Sequence, residues 1–184
     1  MADEISLIKE VASRLKQAGI DYMLTGSMAL SVYSIPRMTR DIDIVIKISA
    51  DDVGKIFDLF RGDFYIDEPS VRQSVERQGM FNIIEHRSVI KVDFIVKKEG
   101  KYRDMEFARR EQIDVEGTPV SIVAPEDLIL SKLVWAKESK SEMQLRDVQD
   151  MLAEQTNIDE DYLDKWSEEL SVKGLLEDAR QDER

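Results

Sequence analysis

The stretch Asp-Ile-Asp-Ile-Val-Ile-Lys-Ile, residues 41–48, constrains this fold most. Its short, β-branched apolar run after two aspartates predicts a strand entering a core. Side chains alternate across a strand, so Asp41 and Asp43 share one face. Two like charges held together cost stability unless something offsets them. Taken alone, the pair also fits a solvated strand end with turn-forming aspartates.

The flanking segments predict the rest of the layout. Residues 3–18 carry Ile5, Ile8, Val11, Ala12 and Leu15 at helical spacing, and Gly19 stops that helix. Residues 20–26 read as a short buried strand. Ser27 would cap a short helix that Pro36 ends, and Ser49 would cap another. Residues 79–86 and 88–96 predict an antiparallel hairpin turning at Arg87 and Ser88. A short helix and a small hairpin around Glu116-Gly117 follow. Pro125 opens a helix with Glu126 and Asp127 in its first turn, where the helix dipole favours acids; both are expected to be capping residues. Two more helices come next, and the last ten residues are expected to fray. The order predicts an α+β fold: a small mixed β-sheet flanked by helices, with an α/β core over 1–123 and a C-terminal helical subdomain over 124–184 packed on it.

Bulk properties exclude several classes. The chain has 184 residues, enough for one domain with a helical extension. No apolar run approaches the roughly 20 residues of a membrane helix, and the N-terminus lacks a signal-peptide pattern. No membrane partner is therefore expected. Cysteine is absent, which excludes disulfides, a thiol nucleophile and Cys-based zinc sites. A cytoplasmic location is the expectation. Net charge is -12, and residues 150–184 hold 12 acidic against 4 basic residues. Such a surface argues against non-specific duplex DNA binding, which depends on phosphate neutralisation, but leaves room for a local basic patch.

Three features carry chemistry. Thr25-Gly26-Ser27 lies between a strand and a helix, where glycine admits close backbone approach and a helix N-terminus attracts phosphate. Asp41 and Asp43 form the second. Asp93, between Val92 and Phe94 in another strand, is the third, since an aspartate there is not expected to stay unpaired. If the two strands are neighbours, three carboxylates converge. Oxygen ligands at that density suit Mg²⁺ or Mn²⁺, and a divalent cation would offset their repulsion. A salt bridge between Asp93 and Lys91 on the same face is the competing expectation.

These residues carry a resemblance. Gly26-Ser27, then 13 residues, then Asp-Ile-Asp, with Arg37-Met-Thr-Arg-Asp-Ile-Asp reading R-x-T-x-D-x-D, resembles the polymerase-β-type nucleotidyltransferase superfamily. The resemblance implies the nucleotidyltransferase fold, with Gly26 and Ser27 binding the nucleotide. It also implies metal ligation by Asp41 and Asp43, and Asp93 as third carboxylate supporting the attacking hydroxyl. Residues 125–152 resemble the AbiE-type nucleotidyltransferase toxins, which implies phosphate contact by Lys132 and a role for Asp147. Arg40, Arg37 and Thr39 flank the pair. The arginines are expected either to neutralise triphosphate or to form ion pairs, and Thr39 to order the turn.

The reading is a metal-dependent transfer of a nucleoside monophosphate from an NTP to an acceptor hydroxyl on RNA (including tRNA), protein or a small molecule. The AbiE likeness adds a cognate antitoxin as an expected partner. The alternative is a nucleotide-binding protein of the same fold without turnover. Lone His86 is expected at the surface, and Trp135 and Trp166 in helix packing.

Overall fold

Residues 41–46 do form a strand, and the rest of the sheet is built outward from it. In the computed structural model, which describes residues 2–36 and 41–181, the strands are β1 (Tyr22–Thr25), β2 (Asp41–Ile46), β3 (Phe64–Tyr65), β4 (Met80–Glu85), β5 (Lys91–Val96), β6 (Glu111–Val115) and β7 (Thr118–Ile122). They form one mixed sheet in the order β3-β4-β5-β2-β1-β7-β6. β2 runs antiparallel to β1 and parallel to β5. The helices are α1 (Ala2–Gln17), α2 (Gly26–Tyr33), α3 (Val53–Phe60), α4 (Glu68–Arg77), α5 (Lys101–Ala108), α6 (Pro125–Ser139), α7 (Glu142–Glu154), α8 (Glu160–Glu169) and α9 (Lys173–Gln181). The α+β class expected from the sequence is what the chain adopts. Among the described residues, no helix is long and apolar enough to cross a membrane.

Alternation decides which face of β2 meets the core. Ile42, Ile44 and Ile46 are fully buried beside Val92, Phe94 and Val96 of β5. α3 covers them: the Phe60 ring lies 5.5 Å from Phe94 and 5.3 Å from Phe64. The opposite face of the same two strands carries Asp41, Asp43 and Asp93. One strand pair thus separates the oil from the charge.

Several expectations need correction. Helix α4 and strand β3 fall in a stretch, 61–78, for which apolar spacing gave no helix. α4 has only Val71 and Val75 as aliphatic anchors and depends on its ends: the Asp67 carboxylate accepts from the Ser70 N–H at 2.9 Å, and Gln78 closes it at φ 48°. The C-terminus does not fray through its last ten residues, because residues 173–181 form α9, which buries Leu176 and Ala179. Arg180 at its end pairs with Asp164 at 2.8 Å and with Glu160. The β4–β5 connection spans 86–90 rather than two residues. The Glu85 carboxylate organises it, accepting from the Arg87 N–H at 3.1 Å, Arg87 Nε at 2.8 Å and the Ser88 N–H at 2.5 Å. Ser49 does cap the turn before α3, in a reciprocal box with Asp52.

Glu126 and Asp127 are more than caps. Both are buried, Asp127 completely. Arg109, just after α5, reaches Asp127 at 3.0 Å and Glu126 at 2.7 Å, and its guanidinium lies 3.8 Å from the Tyr162 ring centroid. Tyr162 donates its hydroxyl to Asp127 at 2.7 Å. This network ties α5, α6 and α8 together.

Candidate active site

Register brings the predicted carboxylates into one place. In the parallel β2–β5 pair, Asp43 lies opposite Asp93 and Asp41 opposite Lys91. β1 adds Thr25 opposite Asp43, and β4 adds Asn82 opposite Asp93. A polar row, Asn82–Asp93–Asp43–Thr25, therefore crosses four strands. Asn82 was missed in the sequence; the alternation of Phe81, Ile83 and Glu85 facing inward leaves it on the face of Asp93.

Asp93 is only 5% exposed. Its Oδ2 accepts from Lys91 Nζ at 2.7 Å, while its Oδ1 is buried with no hydrogen-bond partner among the described residues. Lys91 also reaches Asp41 Oδ2 at 3.6 Å, so the expected Lys91 salt bridge and the carboxylate cluster coexist. Burial, then Asp93, then Asp41 push the Asp43 carboxyl up to about 6, with Lys91 and Lys132 opposing. Burial and the neighbouring carboxylates thus both disfavour the ionised form of Asp43.

Gly26 explains how a helix start reaches this row. It sits at φ +64°, the first residue of α2. A Cβ there would stand 2.7 Å from Asp43 Cγ and 2.9 Å from its Cβ. Only glycine allows that approach. Thr25, not Ser27, is the N-cap, and its side chain makes no capping bond; Ser27 is the second residue of the helix.

Lys132 and Asp147, predicted separately, are partners. Lys132 Nζ donates to Asp147 Oδ2 at 2.6 Å and to Gln144 Oε1 at 3.1 Å, joining α6 to α7 in a buried pair. Lys132 lines a cavity of about 190 Å³ together with Gly26 and Asp43, and Asp147 stands behind it. Arg103, Ser131 and Trp135 line the same cavity. Trp135, expected in packing, is instead 52% exposed, whereas Trp166 is buried. His86 is exposed. Arg37, Thr39 and Arg40 lie outside the described residues.

The donor set suits a hard divalent cation: three carboxylates on one face and an orphaned buried oxygen on Asp93. Among the described residues, however, no three Asp, Glu or His side chains are grouped as a metal-holding cluster. Among the described residues, the Lys91 ammonium bridges Asp93 and Asp41.

Solved structures share the fold. An antigenic nucleotidyltransferase-like protein from Paracoccidioides brasiliensis is 18% identical with a TM-score of 0.55, covering 95% of this chain and 90% of that one. ANT(2")-Ia, in complex with adenylyl-2"-tobramycin, is 13% identical with a TM-score of 0.51, covering 97% and 98%. The lincosamide antibiotic adenylyltransferase LnuA, lincomycin-bound, is 12% identical with a TM-score of 0.53, covering 79% and 94%. A search of curated protein sequences returns no match. Residues 13–174 match the family model described as nucleotidyl transferase AbiEii toxin, type IV toxin–antitoxin system, and the chain belongs to that family.

Proposed function

We propose that this nucleotidyltransferase moves a nucleoside monophosphate from an NTP to an acceptor hydroxyl, with release of pyrophosphate. The observation that carries the reading is the β2–β5 register, which sets Asp43 beside Asp93 next to a glycine-started helix. Gly26 and Ser27 at the start of α2 would receive the triphosphate, as helix N-termini favour phosphate. Lys132, held by Asp147, would neutralise it, helped by Arg40 and Arg37, with Thr39 in an ordering role. Asp41, Asp43 and Asp93 would hold Mg²⁺ or Mn²⁺, which when bound supplies charge neutralisation for the transfer. Asp93 would orient the acceptor hydroxyl and take its proton at Oδ1, the buried oxygen with no other hydrogen bond. Most of the acceleration would come from positioning and charge neutralisation.

The acceptor is RNA, protein or a small molecule. Antibiotics named with ANT(2")-Ia and LnuA support the last class; the toxin family supports a macromolecule and a cognate antitoxin in the cytoplasm. Transfer of label from each α-labelled NTP, with Mg²⁺ or Mn²⁺, into total RNA and total protein tests the reading. The control is a folded Asp41→Ala/Asp43→Ala variant. Label entering one pool and lost in the variant is expected. No NTP binding at all would sink the proposal.

A second reading, nucleotide binding without turnover, draws on Lys91. Its ammonium bridges Asp93 and Asp41 where a metal would be needed. Binding of NTP with no transfer into RNA, protein or a small acceptor would favour it.

A further inference from the structure

The cavity that begins at Gly26, Asp43 and Lys132 extends to a second group of side chains that the transfer chemistry does not use. Leu128, Ser131, Lys132 and Trp135 follow helical spacing and form one face of α6 along it. Facing them from α5 is Arg103. Its Nη1 donates to both Glu106 oxygens, at 3.0 and 2.8 Å, and reaches Ser131 Oγ at 3.4 Å. Ser131 Oγ in turn donates to Glu106 Oε1 at 2.7 Å. Glu106, 4% exposed, anchors this triad from its buried side.

Every hydrogen bond that Arg103 makes among the described residues runs through Nη1. A guanidinium has five N–H donors in a rigid fork, so those on Nη2 and Nε remain for a ligand. The Arg103 side chain keeps 30% exposure. Glu106, by contrast, already accepts from Arg103 and Ser131. This end of the pocket thus offers paired donors held in a fixed orientation. Beside them, Trp135 presents a half-exposed aromatic ring of the kind on which nucleobases stack.

Granted the nucleotide-transfer reading of the adjoining carboxylates, we infer that this end of the cavity is the nucleobase subsite. Trp135 stacks on the base, and Arg103 selects bases with two adjacent acceptors. Guanine offers O6 and N7, and cytosine offers N3 and O2. Adenine sets an amino donor beside N7, and uracil separates its two oxygens with an N–H, so both leave one arm of the fork unmatched. Glu106 and Ser131 fix the fork's orientation and act through Arg103 as positioning residues.

The test is titration calorimetry of the full chain with Mg²⁺ and the non-hydrolysable α,β-methylene analogue of each of the four NTPs. The guanine or the cytosine analogue is expected to bind at least about tenfold tighter than those of adenine and uracil, the two arms separating guanine from cytosine. Arg103→Lys keeps a charge beside Glu106 but loses the fork, and is expected to reduce the preference to about threefold or less with unchanged far-UV circular dichroism. Trp135→Ala is expected to weaken all four by roughly tenfold, the magnitude of one stacked base. Equal affinity for all four, or preference for adenine or uracil, overturns the base-reading assignment and leaves the transfer reading standing. Failure of every analogue to bind overturns both.

Discussion

A methyl group at position 26 would meet the Asp43 carboxylate, and the residue's φ of +64° disfavours any side chain. Gly26→Ala is therefore expected to cost about 1–2 kcal/mol of stability for the backbone conformation. It should cost more in function, because Asp43 or the start of α2 must shift. A displacement near 1 Å at a reacting centre lowers rate by about 100-fold. Labelled-NTP transfer compared with thermal melts checks this; full activity would show that the close approach is incidental. The Lys132–Asp147 pair separates structural from chemical roles more sharply. Removing one partner of a buried ion pair costs about 3–5 kcal/mol, whereas replacing both with apolar groups is close to neutral. Lys132→Met alone should therefore melt early, and Lys132→Met/Asp147→Leu should recover stability. If Lys132 contacts phosphate, the double variant stays inactive despite its stability. Recovery of both stability and activity would assign the lysine to architecture alone.

At the scale of elements, legibility followed how much apolar pattern each one carries. β2 and β5 announce themselves because a buried sheet face needs an unbroken set of Ile, Val and Phe, and the aspartates interrupt that set on one face only. Asp41, Asp43, Asp93 and Gly26 were legible for the same reason: each breaks a pattern at a place where chemistry can use it. Asn82 was not, since an exposed polar residue on a strand is ordinary until its neighbour is known. The Lys132–Asp147 contact depends on how α6 crosses α7, which no local spacing encodes. α4 and α9 were missed because ends and two anchors apiece hold them rather than a full stripe. Leu176 is the test for α9: fully buried, it should cost about 2–5 kcal/mol as Leu176→Ala, and a negligible loss would return that segment to a frayed tail. The β4–β5 turn makes a pH prediction. Its hydrogen bonds, led by that from the Arg87 side chain, lower the Glu85 pKa to about 2. A depressed carboxyl contributes stability above its unfolded value, near 4.3, and loses it as pH falls toward 2. Glu85→Gln should thus be less stable than the parent at pH 7, with the gap narrowing between roughly pH 4 and 2. A gap that is constant with pH would mean the charge is irrelevant.

For the molecule as a whole, the question is how a cavity lined from both the sheet and α6 keeps its shape. Arg109 is the tie. It lies between α5 and β6, yet its guanidinium joins Glu126 and Asp127 at the start of α6 and lies over Tyr162 of α8. Burial raises the Asp127 carboxyl, and the bonds from Tyr162 and Arg109 oppose that shift, so the ionised form depends on them. Arg109→Leu would leave a fully buried carboxylate with Tyr162 as its remaining side-chain donor, an expected cost of about 3–5 kcal/mol. The loss should not fall evenly. Both tryptophans sit in the helices this clamp holds, Trp135 in α6 and Trp166 in α8, so their fluorescence follows the C-terminal helices while far-UV circular dichroism follows the whole chain. In the parent the two transitions should coincide in urea, as a cooperative unit requires. In Arg109→Leu the fluorescence transition should move to lower urea and part from the dichroism, and NTP affinity should fall with the fluorescence, since Lys132 and Trp135 travel with α6. Coincident transitions in the variant would show that packing between α2 and the helices after β7 holds the cavity without the clamp.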